Sequence, residues 1–556
     1  MRAFDNDYFL GYINEVTPQY VKIHFPSSHL LGQFRHNGSI YAGGNVGNYV
    51  VIEGDEYGFI ARIIELELPD SERKEISEKA IHQDSTKFHP SGKAELLLVF
   101  SLYEPAKAVK TISKYPSIGA KVYACSDDLI SLYVKEFGKR EDNEDANVFA
   151  DLGKLTSNDS PCSVSFNALF GRHCAVVGTT GGGKSWTVAK LIEEVRDKTD
   201  NKIILIDATG EYSGIEDYGC VVGDNAYFSF KELSNSEFCF LFREHSPNTS
   251  NALCEAINTL KLVHLKKVQN GIKNGKDVAT INKAIADNVK DFAGCDFDIS
   301  QLSVQIKNEC VKQGRGGIYE PDDFKLGYCS HLISRVNMFL NNDTVKKALG
   351  VGDTHDKTEI ISLMDDFLQL KEKKVLRIGF EKLSYDFAIR EIVVDFIAGH
   401  LLKESRKDAF KETPVIFCVD EAHQFLNKRI SADDDSTFYL QSIDNIAKES
   451  RKYGLFLCLS TQMPRDIPIG TLSQMGTFIV HRLINDQDKK SIENASSSAN
   501  RNALSFLPIL GEGEAIMIGV DFPMPLAIKI DAPQPHNRPN SNTPRIKRKK
   551  PTNNKT

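Results

Sequence analysis

Between Phe9 and about Val134, apolar and polar residues alternate in short runs, as in Tyr20-Val21-Lys22-Ile23-His24-Phe25, Val50-Val51-Ile52 and the stretch 94–100. Gly, Pro and Asn separate these runs, a pattern that predicts several short strands closing into a small barrel. Residues 70–83 are a charged interruption, predicted as a loop or short helix, and the polar stretch 139–145 contains or adjoins a linker. From about Pro161 the order becomes strand, glycine cluster, helix: Cys174-Ala175-Val176-Val177, then glycines, then a helix over 187–196. A second apolar run at 203–206 follows at the distance a parallel crossover requires. The runs Val415–Val419, 455–459 and Thr477–Val480 are continuously apolar or β-branched, as strands covered on both faces of one central sheet would be.

Residues 252–268 and 281–292 repeat apolar positions at helical spacing and predict a helical insertion. The predicted organisation is a β-barrel and linker over 1–155, an α/β core over 156–243 and 331–530, the helical insertion over 244–330, and a tail over 531–556. That tail holds five Pro and seven Lys or Arg against one acid, which predicts disorder until something binds it.

With 556 residues, 41% hydrophobic and 26% charged, the chain has the composition of a large soluble globular protein. The 68 Lys plus Arg against 75 Asp plus Glu give a net charge of -7, so any nucleic-acid site must be local. The 11 cysteines form no Cys-x-x-Cys pair, which predicts free thiols and argues against a zinc ribbon. Asp5 and Asp7 stand where a signal peptide would be apolar, and no run approaches a membrane span, so the expectation is a cytoplasmic protein with no membrane partner.

Gly178-Thr179-Thr180-Gly181-Gly182-Gly183-Lys184-Ser185 fits the phosphate-loop pattern G-x-x-x-x-G-K-[ST]. Its glycines let backbone N–H groups curl round phosphate oxygens, and the following helix points its positive end at them. Lys184 reaches the terminal phosphates and Ser185 is placed to ligate Mg²⁺. Trp186 either packs the helix or stacks on a base. The strand Val415–Val419 ends in Asp420-Glu421. Carboxyl ends of strands face the ligand in a doubly wound sheet, so Asp420 can hold magnesium and Glu421 can polarise the attacking water. No Asn-Lys-x-Asp element for guanine is present, which leaves ATP as the expected nucleotide.

Asp207 and Glu211 follow the apolar run ending at Ile206. They orient water, contact magnesium through its shell, or cap a turn. Gln462, after Ser460-Thr461, is positioned to sense the γ-phosphate and relay hydrolysis to residues 463–467. Arg451 and Arg482 are both candidates for an arginine finger reaching a neighbouring subunit; for Arg451 the plainer reading is a cation at a helix C-terminus.

These segments resemble HerA-type ATPases. The carriers are Gly11-Tyr12-Ile13-Asn14-Glu15-Val16, Val46-Gly47-Asn48-Tyr49-Val50, the phosphate loop, Asp207-Ala208-Thr209-Gly210-Glu211-Tyr212, Asp420-Glu421-Ala422-His423 and Ser450-Arg451-Lys452-Tyr453-Gly454. Ser460-Thr461-Gln462, His481-Arg482-Leu483 and Gly511-Glu512-Gly513-Glu514-Ala515 continue the same order, over roughly residues 9 to 530. The resemblance implies a HAS-type barrel followed by a RecA-like motor, assembled as a homohexameric ring that moves double-stranded DNA through its pore. It also implies active-site roles for Lys184, Asp207, Glu211, Asp420, Glu421 and Gln462, a trans-acting Arg451, and an effector docked on the barrel: a NurA-like nuclease, a sirtuin-like NADase or another nuclease. Ala208-Thr209 stands where Pro-His is common in that family.

Two functions follow. One is an ATP-driven DNA translocase in end processing or antiphage defence, with Lys428 and Arg429 as candidate pore cations unless they belong to a solvated loop. The other is an ATPase scaffold that assembles and switches the effector without productive translocation. A small-molecule kinase fits poorly, because Glu421 and a trans arginine suit hydrolysis to water.

Overall fold

The computed structural model describes residues 4–32, 34–36, 39–41, 43–69, 88–104, 108–109, 114–136, 147–156, 159–244, 246–426, 429–431, 437–496, 501–522 and 524–540. The expected interruption at 70–83 and linker at 139–145 lie outside them.

Six antiparallel strands close the N-terminal barrel: β1 (Phe9–Val16), β2 (Val21–His24), β3 (Tyr49–Ile52), β4 (Tyr57–Glu67), β5 (Ser91–Ser101) and β6 (Lys121–Ala124). They run in the order β2-β1-β6-β3-β4-β5, and β5 pairs back to β2. The period-two pattern sorts the two faces. Val50 and Ile52 join Leu10, Ile13, Ile23 and Leu96 inside the barrel. Tyr49 and Val51 point outward, into a core shared with helix α1 (Asp127–Glu136) and the second domain. There the Tyr49 hydroxyl donates to the Pro525 carbonyl at 2.5 Å, which ties the barrel to the second domain.

The second domain is built on an eleven-stranded sheet. Its strands are β7 (Phe149–Leu155), β8 (Pro161–Ser165), β9 (Cys174–Val177), β10 (Lys202–Asp207), β11 (Tyr218–Val221) and β12 (Val375–Gly379), then β13 (Val415–Val419), β14 (Leu455–Thr461), β15 (Thr477–Val480), β16 (Glu514–Gly519) and β17 (Leu526–Ile530). The order is β8-β7-β17-β16-β15-β9-β14-β13-β10-β12-β11, parallel from β15 to β11 and antiparallel from β15 to β8. Both faces are covered, as the unbroken apolar runs require. Ala175, Val177, Ile204 and Ile206 face one core, and Cys174, Val176, Ile203 and Leu205 face the other. All 11 cysteines are free thiols. No helix among the described residues is long and apolar enough to cross a membrane.

Three predicted boundaries move. Residues 149–155, assigned to the barrel and linker, form an interior strand of the eleven-stranded sheet. Helices persist past 330: Asp323–Leu340, Asp343–Ala348 and Ile360–Gln369 all precede β12, so the helical part reaches about residue 369. The tail expected to be disordered is ordered over 531–540, where the buried Asn537 donates from Nδ2 to Glu193 at 2.6 Å. Composition predicts disorder from missing apolar area, and here buried polar pairing supplies the anchor instead.

Two buried histidines stand at opposite ends of β9 and β15: His173, whose Nδ1 accepts from the Leu457 N–H at 2.9 Å, and His481. Burial lowers both to about 4. Each stays neutral in the native chain while the unfolded chain takes up a proton below about 6.5. Stability is therefore complete above that pH and falls towards pH 4, by about 1.4 kcal/mol per pH unit for each histidine. His173 has φ 63°, a conformation Asn tolerates, so His173→Asn is expected to flatten the slope by one histidine's share in urea unfolding between pH 7 and 5. An unchanged slope would exclude His173 as a source.

Candidate nucleotide site

Four neighbouring parallel strands, β9, β14, β13 and β10, deliver the candidate residues at their carboxyl ends. The phosphate loop leaves β9 and runs into helix α2 (Lys184–Lys198), capped by Gly183 at φ 111° with no side-chain hydrogen bond. The first N–H groups of α2 therefore keep their donors for an anion. A Cβ at Gly178 would stand 2.5 Å from His481 Cβ, so the loop's close seat on β15 requires glycine there.

Lys184 is only 7% exposed, and its Nζ donates to the Thr179 carbonyl at 3.5 Å. Burial lowers its pKa, against the pull of Glu421, Asp420 and Glu211. β14 separates β9 from β13, so Asp420 and Glu421 stand roughly 10 Å across the sheet from the loop. That gap suits a terminal phosphate, a cation and a water. Asp420 is 4% exposed and pushed up to about 7, by burial first and Glu421 next, with Ser460 opposing. The Asp420 carboxylate and the Ser185 hydroxyl are hard oxygen donors of the kind Mg²⁺ takes.

Glu421 has φ 48°, a left-handed conformation unusual for a side-chain-bearing residue. Burial raises its pKa, Lys184 opposes and Glu211 adds. Its Oε2 lies 3.3 Å from His423 Nδ1 yet is buried without a hydrogen bond. Such an acceptor can take a proton from water. Gln462 Oε1 accepts from Thr180 Oγ1 at 2.6 Å, joining the β14 end to the phosphate loop.

Of its three expected readings, Asp207 takes the last, capping a turn. Its Oδ1 accepts the N–H groups of Thr209, Gly210 and Glu211, and its Oδ2 accepts from Tyr212 N and Arg377 Nε. Five donors occupy the carboxylate, which therefore holds the turn that presents Glu211. Trp186 carries the Arg538 guanidinium 5.5 Å above its ring. Arg451 is exposed in the turn Ser450–Tyr453 before β14, at the opposite end of the sheet from the phosphate loop and roughly 20 Å away along that strand. It cannot reach this chain's own site. Arg482 sits within that site instead: its carbonyl accepts from Thr179 N at 3.0 Å and Oγ1 at 3.1 Å, and its buried Nε is unpaired. Lys428 and the side chain of Arg429 lie outside the described residues.

Two contributors escape sequence reasoning. Arg377, on β12, is 3% exposed and bridges Asp207 at 2.7 Å and Glu381 at 2.8 Å. His481 donates from Nδ1 to the Glu514 carbonyl at 2.9 Å, so its Nε2 accepts from Thr187 Oγ1 at 2.8 Å. It thereby braces the loop with a neutral ring. A charged residue inside an apolar strand and a histidine just after one were the available signals, but neither names its partner.

The family described as "Helicase HerA, central domain" matches residues 150–404, and "Helicase HerA-like C-terminal" matches 404–529. A probable helicase of Methanocaldococcus jannaschii is 25% identical over 513 residues, 87% of this chain and 86% of the relative. The DNA double-strand break repair helicase HerA of Sulfolobus acidocaldarius is 26% identical over 391 residues, 68% of each chain. Among solved structures, the bacterial conjugative coupling protein TrwB aligns at TM-score 0.44 and 13% identity over 73% of this chain and 93% of its own. VirB4 of Thermoanaerobacter pseudethanolicus aligns at TM-score 0.42 and 15% identity, over 71% of this chain and 99% of its own.

Proposed function

The chain belongs to the HerA family of P-loop ATPases, and from that premise we propose that it works as a homohexameric ring that couples ATP hydrolysis to movement of double-stranded DNA. Lys184 and the loop N–H groups bind the phosphates, and Ser185 with Asp420 holds Mg²⁺, which would offset phosphate charge. Glu421 takes the proton from the attacking water. Gln462 reads the γ-phosphate and passes its loss, through Thr180 and the β14 end, to residues 463–467.

The observation that carries the ring is the position of Arg451. An exposed arginine beyond reach of its own phosphate loop completes a site only when a second copy presents that end of its sheet. A ring also reconciles a net charge of -7 with DNA, since cations can line a narrow pore while the outer surface stays acidic. The barrel is the proposed docking surface for an effector, a nuclease or a sirtuin-like NADase, in DNA end processing or phage defence.

Mixing tests the shared site. Arg451→Ala and Lys184→Ala chains, each expected to be inactive alone, should regain a fraction of wild-type turnover when co-assembled, because some seams then pair an intact loop with an intact arginine. No recovery across mixing ratios would remove Arg451 from the neighbouring site.

A further inference from the structure

The ordered segment 531–540 runs along α2 towards the phosphate loop. Gln534 N donates to Glu193 Oε2 at 2.8 Å, Asn537 Nδ2 to the same oxygen at 2.6 Å, and Arg196 Nη1 to Asn537 Oδ1 at 3.3 Å. The next residue, Arg538, lies over Trp186, and Asn540 N then donates to the Glu211 carbonyl at 2.7 Å. Pro533 and Pro539 are buried on either side of the exposed arginine. The strap is thus fixed at both ends, and its one guanidinium hangs over the only tryptophan in the chain.

Trp186 directly follows Ser185 on the first turn of α2, so the part of a nucleotide that extends from the loop along that turn meets the indole. The guanidinium carbon stands 5.5 Å from the ring centroid, within cation–π range, and Arg538 Nε donates to the Pro533 carbonyl at 3.3 Å. A flat heterocycle stacked on both faces needs about 7 Å between the planes, so the guanidinium must move off its present contact to admit one. Indole and guanidinium are both surfaces on which nucleobases stack, whichever base is presented.

We propose that residues 531–540 complete the nucleoside end of the ATP site, with the purine base inserted between Trp186 and Arg538. This rests on the ATP-site reading above and extends it to a part of the chain outside the matched family regions, which end at residue 529. The base is gripped by stacking, so ATP and GTP should bind within a few-fold of each other. Occupancy of the clamp also bears on Glu211, because the strap ends on its carbonyl.

The lone tryptophan gives the test its readout. In the full-length chain with Mg²⁺, ATP is expected to change Trp186 emission, whereas inorganic tripolyphosphate, shown to occupy the loop by competition with ATP, leaves it unchanged. Arg538→Ala should weaken ATP about tenfold without altering tripolyphosphate affinity, and Arg538→Lys should recover part of the loss, since it keeps the charge but not the plane. Equal emission changes for both ligands, or equal loss of both affinities in Arg538→Ala, would overturn the clamp. Failure of the ATP reading itself shows separately, as no ATP hydrolysis by the unaltered chain, and would overturn it too.

Discussion

Glu421→Gln is expected to bind ATP within a few-fold of the wild type and to hydrolyse it about 10²- to 10⁴-fold more slowly, the range a positioned general base contributes. The substitution keeps shape, burial and one acceptor oxygen while removing proton affinity. Oε2 has no hydrogen bond to lose, and Gln keeps an oxygen beside His423, so the loss falls mainly on turnover. Single-turnover hydrolysis beside equilibrium ATP binding separates the two. Equal cleavage by the variant and the wild type would strip Glu421 of this role and leave Glu211, which shares the pocket, as the next carboxylate to test.

Lys184→Ala should act on the other parameter. Removing a nearly buried ammonium from the phosphate loop is expected to weaken ATP by about a hundredfold or more, since a charge-assisted contact to the terminal phosphates is lost. Asp420 and Glu421 then also lose the neighbouring cation that tempers their mutual repulsion, so magnesium-free protein should bind least well. Titration with ATP, with and without Mg²⁺, measures both effects. Wild-type affinity in this variant would contradict the assignment of the loop.

The parts of this site that could be read from the sequence are those whose chemistry is local in the chain. The phosphate loop is eight consecutive residues, and β13 was delimited to the residue because Val415–Val419 is apolar throughout and Asp420 ends it. Asp207 shows the opposite case. Its spacing to Glu211 leaves a water or magnesium contact and a turn cap open, and what decides between them, Arg377, lies 170 residues downstream on the adjacent strand. Periodicity does not separate Arg451 from Arg482, but chain order does: one precedes its strand and the other follows it, which puts them at opposite ends of a parallel sheet. The strap at 531–540 was missed for a different reason. Pro, Asn and Arg lack apolar area, and what fixes them is a carboxylate on α2, Glu193, that no local pattern associates with the C-terminus. The helical part was underestimated for a related reason: segments such as Asp323–Leu340 carry exposed Phe324 and Tyr328 on the face where a helix pattern expects polar residues.

The seam between subunits carries the whole account, and turnover per chain followed across a dilution series, with light scattering reporting particle mass in the same samples, probes it directly. Activity should appear together with the six-chain particle and vanish as the particle dissociates, in the presence of saturating ATP, Mg²⁺ and duplex DNA. A single chain that retains full turnover at every dilution would contradict it.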